Sequence, residues 1–204
     1  MEKFKSNKYE IGVDEAGRGP FFGPVYAGAV IWGDAIDNEL IKDSKKLSKK
    51  RRKEALEWIK ENVKAYGVGY CSSKEIDQFG ILDATKKAME RAIDNIEYVP
   101  KKSKYKLLID GTGWNNMEFK TNLPNITIES VVKGDSKYRN IAAASILAKE
   151  AHDQHIVELC SKDNQLNQKY DLLNNKGYGT KKHIEGIKLH GLSEFHRQSF
   201  NINY

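Results

Sequence analysis

The chain has 204 residues, of which 39% are hydrophobic and 30% are charged, and its formal net charge is +6. This is the composition of an ordinary soluble globular protein with one continuous core, and the longest apolar run, residues 25–32, is too short to span a bilayer. The positive charge favours a polyanionic partner, although many basic proteins bind nothing acidic.

The cysteines and the N-terminus indicate the compartment. Cys71 and Cys160 are far apart in the chain and stand in no metal-binding spacing. Residues 1–10 are polar and lack the apolar core of a signal peptide. We therefore expect free thiols, a cytoplasmic location and no membrane association.

The first half of the chain alternates strand and helix patterns. Strands are predicted at residues 9–13, 25–32 and 65–71. The spacing of apolar residues predicts a helix at 48–63. Ser72 and Glu75 match a capping box, which predicts a helical region running to about Ile96 with a break at Gly80.

The second half continues the alternation. Strands are predicted at 106–109 and 126–132, a long helix at 139–159, and shorter helices at 181–188 and in the tail. This order predicts an α/β fold with a mixed sheet covered by helices. Sites in such folds collect at the ends of strands.

Four acidic residues stand at or just beyond the ends of predicted strands. They are Asp14, Glu15, Asp110 and Asp135. Carboxylates that lie close together repel unless cations neutralise them, and oxygen ligands without nearby Cys or His suit Mg²⁺ or Mn²⁺. Two such ions would activate a water and stabilise the leaving oxygen of a phosphodiester. The alternative interpretation is that each acid caps a helix or closes a turn.

The position of each acid decides whether it can join this group. Neighbouring side chains of a strand face opposite ways, so Asp14 and Glu15 reach one metal only if the strand has begun to turn, which Gly17 and Gly19 permit. Asp153 lies well inside the long helix, roughly 20 Å beyond its start. We therefore leave Asp153 out of the metal ligands.

Seven ordered motifs resemble those of bacterial-type type 2 ribonuclease H (ribonuclease HII). They are Asp14-Glu15-Ala16-Gly17-Arg18-Gly19-Pro20, Asp43-Ser44-Lys45-Lys46-Leu47, Ile109-Asp110-Gly111, Lys133-Gly134-Asp135, Ile141-Ala142-Ala143-Ala144-Ser145-Ile146-Leu147-Ala148-Lys149, Lys176-Gly177-Tyr178-Gly179-Thr180 and His196-Arg197-Gln198-Ser199-Phe200. The resemblance extends from Tyr9 to Phe200 and so covers nearly the whole chain.

The resemblance implies an RNase H-like mixed β-sheet flanked by helices. It implies one catalytic domain over residues 1–204, in which about 165–204 form a small C-terminal helical region that completes the substrate groove. The implied activity is endonucleolytic cleavage of the RNA strand of RNA–DNA hybrids. It includes incision 5′ to single ribonucleotides in duplex DNA during replication and repair, leaving a 3′-OH and a 5′-phosphate. We expect a monomer.

The resemblance also assigns roles by matched position. The metal-binding and catalytic carboxylates would be Asp14, Glu15, Asp110 and Asp135. Gly17, Arg18 and Gly19 would contact the 2′-OH and adjacent phosphates of the ribonucleotide, and Tyr178 would pack against the following deoxyribose at the RNA-to-DNA junction. The 2′-OH alone separates RNA from DNA, and a glycine turn lets the backbone approach it. The alternative for Tyr178 is a core or turn aromatic.

Two departures from the family pattern lie outside these residues. Phe21 and Phe22 stand where smaller apolar residues are commoner, which alters the packing beside the site. His152 stands before Asp153, where the family more often has an arginine.

Basic residues crowd the start of the helix at 48–63. They are Lys45, Lys46, Lys49, Lys50, Arg51, Arg52 and Lys53. Cations in a first helical turn oppose the helix dipole, so their number favours an anionic partner over a solvated face, and Lys45 is predicted to contact a phosphate. For a second basic group the sequence leaves two alternatives open, a contact with the DNA strand or no contact with nucleic acid. This group is Lys181, Lys182, His183, His196 and Arg197.

Two other function classes remain at this stage. A non-catalytic protein that binds RNA–DNA hybrids would keep the fold, but buried acids without a metal are costly. Another nuclease with this fold, such as a junction resolvase, would prefer four-way junctions to ribonucleotide-containing duplex.

Overall fold

The computed structural model describes residues 9–33, 38–97 and 104–202, so residues 1–8 of the polar N-terminal segment lie outside it. Its five-stranded sheet has the order β3-β2-β1-β4-β5. The strands are β1 (Tyr9–Ala16), β2 (Val25–Ile31), β3 (Ala65–Cys71), β4 (Tyr105–Asp110) and β5 (Ile126–Val131). β1 and β3 pair antiparallel with β2, whereas β4 pairs parallel with β1 and β5. The predicted mixed sheet is confirmed.

The helices follow the predicted alternation. In the described residues they are α1 (Lys49–Asn62), α2 (Ser73–Asp94), α3 (Gly134–Lys137), α4 (Arg139–Lys162), α5 (Asn164–Tyr170), α6 (Leu172–Asn175) and α7 (Lys181–His190), with 3-10 turns at Ser44–Lys46 and Trp114–Asn116. The capping box is confirmed, because the Ser72 N–H donates to Glu75 Oε2 (2.9 Å) and the Ser72 hydroxyl accepts from the Glu75 N–H. The break is also confirmed: Gly80 has φ 76° and kinks α2.

The prediction of a helix in the tail is wrong, whereas α5 and α6 lie in the region of about 165–204 that was expected to be helical without bounds for single helices. From Gly191 to Ile202 the chain forms turns and irregular segments. The N–H groups of Gln198 and Ser199 donate to the Asp77 carboxylate (3.1 and 2.9 Å) instead of forming helical hydrogen bonds. α5 and α6 have seven and four residues, too few to show a helical periodicity in the sequence.

Helices cover both faces of the sheet. α2 packs on the face that carries Ile11 and Val13 of β1. On the other face, a Cβ on Gly12 would overlap the backbone of Asn140 and Ile141 in α4. Glycine is therefore required where α4 crosses β1. A third apolar cluster joins the C-terminal helices to the end of α4: Phe22, Ile156, Cys160, Leu166, Tyr170, Leu172, Ile187 and Ile202.

The thiol prediction is confirmed. Cys71 and Cys160 are both free and buried. Burial raises the pKa of the Cys71 thiol to about 11, so it stays protonated at neutral pH. Of the helices described, none has the length and apolar character needed to cross a membrane.

The close crossing of α4 over β1 yields a stability prediction. Gly12→Ala should lower the free energy of unfolding by about 1–3 kcal/mol, because the added methyl group forces α4 away from the sheet. Gly19→Ala is the control: its Cβ would meet only the Tyr178 ring, at 3.5 Å, so stability should stay within about 0.5 kcal/mol of wild type. Urea unfolding measures both, and equal stability of the two variants would contradict the prediction.

Candidate metal centre and nucleic-acid site

Three carboxylates from different elements meet at one edge of the sheet. Asp14 lies near the end of β1, Asp110 ends β4, and Asp135 lies in α3, just after β5. Each offers one oxygen, and these oxygens all lie within 4.8 Å of one another. They meet because β1, β4 and β5 are parallel neighbours whose carboxyl ends share an edge.

Hydrogen bonds between the loops hold this edge together. The Gly134 N–H donates to Asp110 Oδ1 (2.6 Å), and the Gly111 N–H donates to the Val131 carbonyl (3.0 Å). These contacts join the end of β4 to the start of α3. On the other side, the buried Ser44 and Ser145 hydroxyls are hydrogen bonded (3.0 Å), which fixes the Asp-Ser-Lys segment against α4.

Burial and repulsion by neighbouring acids raise the pKa values of two of these carboxyl groups, those of Asp14 and Asp135. Burial first, and then the charges of Glu15 and Asp110, raise the pKa of Asp14 well above its usual range. Burial and Asp110 likewise raise the pKa of Asp135. A divalent cation would relieve both effects, and an all-carboxylate set of ligands suits Mg²⁺ or Mn²⁺. The residues therefore fit a hard divalent cation.

Glu15 stands apart from the three grouped carboxylates. β1 does not turn after Val13; it stays paired with β2 through Ala16, so the early turn expected from the sequence does not form. Glu15 Oε1 accepts from Arg18 Nη1 at 3.3 Å. Burial raises the pKa of Glu15, and the nearby Arg18 opposes that rise. Glu15 therefore lies at the edge of the centre, between the carboxylates and the glycine turn.

One cavity beside the carboxylates brings together the predicted substrate residues. Its walls include Glu15, Gly17, Arg18, Gly19, Lys45 and Tyr178. Gly17 has φ 88°, a conformation that favours glycine. Burial opposes the charge of Lys45, but attraction by Asp135 and Asp14 outweighs it and raises the pKa of Lys45. The walls of the cavity thus include a cation, Lys45, and an aromatic ring, Tyr178.

Tyr178 is an exposed wall of this cavity, not a core aromatic. Tyr178 is 43% exposed to solvent, and Lys149 Nζ lies 5.8 Å from the centre of its ring. Phe21, one of the two departures from the family pattern, packs against Gly179, where a Cβ would overlap the Phe21 ring. Sequence reasoning did not single out Lys149, although it ends one of the seven motifs.

Asp153 belongs to an ion-pair cluster outside the three-carboxylate group. Lys149 Nζ contacts Asp153 Oδ1 at 2.8 Å, and Arg52 pairs with both Asp153 and Glu150. Arg52, predicted as part of an anion-binding patch, is therefore already engaged within the protein. His152 is fully buried, and its Nδ1 lies 3.1 Å from Asp153 Oδ1.

The second basic group is divided by burial. Lys181 and Lys182 are exposed at the start of α7, but His183 and Arg197 are 0% exposed and His196 is 1% exposed. Of the two alternatives that the sequence left open, the structure favours the one without a DNA contact for these three residues, because side chains this deeply buried cannot reach a DNA strand. Their hydrogen bonds run inside the protein.

Comparison with known proteins supports the same family along the whole chain. A family model described as ribonuclease HII matches residues 11–203. The chain is 43% identical over 194 residues to ribonuclease HII of Pelagibacter ubique, a match that covers 95% of this chain and 96% of that protein. It is 44% identical over 200 residues to ribonuclease HII of Rickettsia rickettsii, covering 98% and 95% respectively.

Solved structures show the same fold. Ribonuclease H2 of Pyrococcus horikoshii superimposes with a TM-score of 0.68 at 26% identity, covering 94% of this chain and 93% of that one. The ribonuclease HII of Archaeoglobus fulgidus, solved in complex with PCNA, superimposes with a TM-score of 0.71 at 24% identity and covers 96% of each chain. The predicted RNase H-like fold is confirmed. The chain therefore belongs to the ribonuclease HII family of metal-dependent ribonuclease H hydrolases, which act on RNA–DNA hybrids.

Proposed function

We propose that this enzyme, besides cutting RNA in RNA–DNA hybrids, incises duplex DNA 5′ to a single embedded ribonucleotide and leaves a 3′-OH and a 5′-phosphate. The observation that carries the proposal is the cavity beside the three grouped carboxylates, which is lined by Glu15, the Gly17–Gly19 turn and Tyr178. The reaction would remove ribonucleotides from DNA during replication and repair. We further propose a cytoplasmic enzyme that acts as a monomer.

The carboxylates would position the metal and the scissile phosphate. Asp14, Asp110 and Asp135 would hold Mg²⁺ or Mn²⁺, with Glu15 as a fourth ligand that faces the turn. With substrate bound, two such ions would activate a water and stabilise the leaving oxygen of the phosphodiester. Lys45, exposed beside the carboxylates, would contact a phosphate oxygen.

The turn and the tyrosine would recognise the substrate. Gly17, Arg18 and Gly19 lie in the cavity wall, where their peptide groups would test for the 2′-OH. The Arg18 side chain would contact a phosphate next to the ribonucleotide. The exposed Tyr178 ring would pack on the deoxyribose that follows the ribonucleotide, at the RNA-to-DNA junction.

The direct test is incision of a labelled DNA duplex that contains one ribonucleotide, in Mg²⁺ or Mn²⁺. We expect one cut on the 5′ side of the ribonucleotide, with a 3′ end that a DNA polymerase extends without further processing. An all-DNA duplex of the same sequence is the control and should stay intact. Binding without turnover would favour the non-catalytic alternative, and a preference for four-way junctions would favour a resolvase.

Removing the Asp14 charge should separate catalysis from stability. Asp14→Asn should abolish cleavage and weaken metal binding at least about tenfold, while duplex binding is largely kept. In metal-free buffer near neutral pH the variant should be more stable than wild type, because it removes a buried charge repelled by its neighbours. Thermal unfolding with and without Mn²⁺ measures both effects.

The pH dependence of that stability difference follows from the raised pKa of Asp14. The folded wild type holds the proton to higher pH than the unfolded chain, so its stability falls as pH rises above the ordinary carboxyl pKa of 3.8. The advantage of Asp14→Asn should therefore shrink as the pH is lowered towards 3.8. An advantage that grows on acidification would contradict the assignment.

Tyr178 should matter more at a junction than within a long hybrid. Loss of base or sugar stacking on an aromatic ring costs about 1–3 kcal/mol, so Tyr178→Ala should slow cleavage at single ribonucleotides by about 10- to 100-fold. Cleavage of a long hybrid should fall less. Tyr178→Phe keeps the ring and serves as the control. Equal losses on both substrates would rule out junction sensing.

A further inference from the structure

Two consecutive buried residues connect the two substrate-recognition elements. His196 and Arg197 lie in the irregular segment after α7, and both are withdrawn from solvent. A buried arginine and a buried histidine need a compensating role, because desolvation disfavours their charged forms. Neither contacts the three grouped carboxylates, so the metal centre does not explain them.

Arg197 holds the loop that contains the glycine turn. Its guanidinium donates to the carbonyls of Gly17 (2.6 Å), Arg18 (2.9 Å), Gly23 (2.9 Å) and Pro24 (3.1 Å). All four acceptors are main-chain groups of one loop, and the first two belong to the turn itself. The planar fork of arginine therefore fixes the orientation of the peptide groups of Gly17 and Arg18, two residues that line the cavity. Burial lowers the pKa of Arg197 to about 10, so it remains charged at neutral pH.

His196 reaches the other recognition element through His183. The Ser193 N–H donates to His196 Nδ1 (2.9 Å), so the His196 proton must lie on Nε2. His196 Nε2 then donates to His183 Nε2 (3.1 Å), which places the His183 proton on Nδ1. His183 Nδ1 donates in turn to the Tyr178 carbonyl (2.9 Å). This chain of hydrogen bonds requires both rings to be neutral and ends on the peptide of Tyr178.

The segment that carries both residues is itself fixed. The Arg197 N–H donates to the Phe21 carbonyl (2.8 Å), and the Phe21 N–H donates to the Gly177 carbonyl (2.8 Å). Asp77 at the start of α2 binds the N–H groups of Gln198 and Ser199. The Gly17–Gly19 turn and the loop that carries Tyr178 are therefore both attached to this segment, and the segment is anchored in turn to α2, which packs on the sheet.

We propose that His196 and Arg197 are positioning residues that set the separation and orientation of the Gly17–Gly19 turn and Tyr178, and so the selectivity for a ribonucleotide at an RNA-to-DNA junction. This rests on the proposed function of those two elements. The two residues divide the task. Arg197 positions the turn, which contacts the 2′-OH of every substrate. His196 positions Tyr178, which contributes to cleavage at an RNA-to-DNA junction.

The division predicts different kinetic defects for conservative variants. Arg197→Lys keeps the charge but not the four-way fork, and it should lower kcat on single-ribonucleotide duplex and on long hybrid alike, by about tenfold or more. His196→Phe keeps the ring shape but not the hydrogen bonds, and it should lower kcat mainly on the single-ribonucleotide duplex. His196→Gln can restore a donor towards His183 and should recover part of that loss. His190→Phe is the control: the His190 ring is exposed but packs against Tyr170, as the His196 ring does, and its replacement should change kcat on neither substrate.

Hydrogen exchange provides a second readout that does not depend on catalysis. Arg197→Lys should speed amide exchange in residues 17–24, and His196→Phe should speed it in residues 176–180, while the Mn²⁺-induced rise in melting temperature is kept. If Arg197→Lys does not fold, Asp77→Ala frees the same segment and should speed exchange in both stretches.

The outcomes separate this inference from the proposed function. Failure of the wild type to cut at a single ribonucleotide would refute the proposed function, while the exchange measurement would still test the attachment of the turn and the loop. A wild type that cuts, with variants whose kcat on both substrates and local exchange match it, would overturn the positioning roles. A folded His196→Phe with equal losses on both substrates would also overturn the division between the two residues.

Discussion

The repulsion among three closely grouped carboxylates, two of them buried, is the constraint around which the rest of this structure is organised. Asp14, Asp110 and Asp135 place oxygens within 4.8 Å of one another. Left to local forces, such groups would separate and become hydrated. They stay together because each is carried by a different element, and the parallel order of β1, β4 and β5 brings those elements to one edge. The folded chain thus gives up part of its stability to keep three carboxylates in an arrangement that fits a divalent cation.

The residues proposed for substrate recognition lie in a different part of the molecule from the three grouped carboxylates. The carboxylates lie at the ends of β1 and β4 and in α3, which follows β5. Tyr178 and the two histidines that are hydrogen bonded towards it lie in the C-terminal region, after α6. The Gly17–Gly19 turn lies between these parts, because it follows β1 directly and its carbonyls accept hydrogen bonds from Arg197. A turn attached on both sides can keep its peptide groups in place without substrate, and this preorganisation favours selective recognition.

Sequence patterns predicted the elements whose causes are local. The Ser72–Glu75 capping box, the break at Gly80 and the sheet strands were all predicted, because a cap, a glycine and a run of β-branched residues act over a few residues. The tail was predicted to be helical but is irregular. Its backbone N–H groups bind Asp77, a residue more than one hundred positions away, and no local pattern can report that contact.

The sequence by itself determined the family and the kind of chemistry, because seven ordered motifs and a set of oxygen ligands are readable without coordinates. Only the tertiary structure decided how individual side chains are used. It separated Glu15 from the three grouped acids, engaged Arg52 with Glu150 and Asp153, and buried His196 and Arg197 beneath the recognition elements. Burial and pairing depend on neighbours supplied by distant parts of the chain, and for this reason a basic pair that resembles a DNA contact in sequence became an internal support.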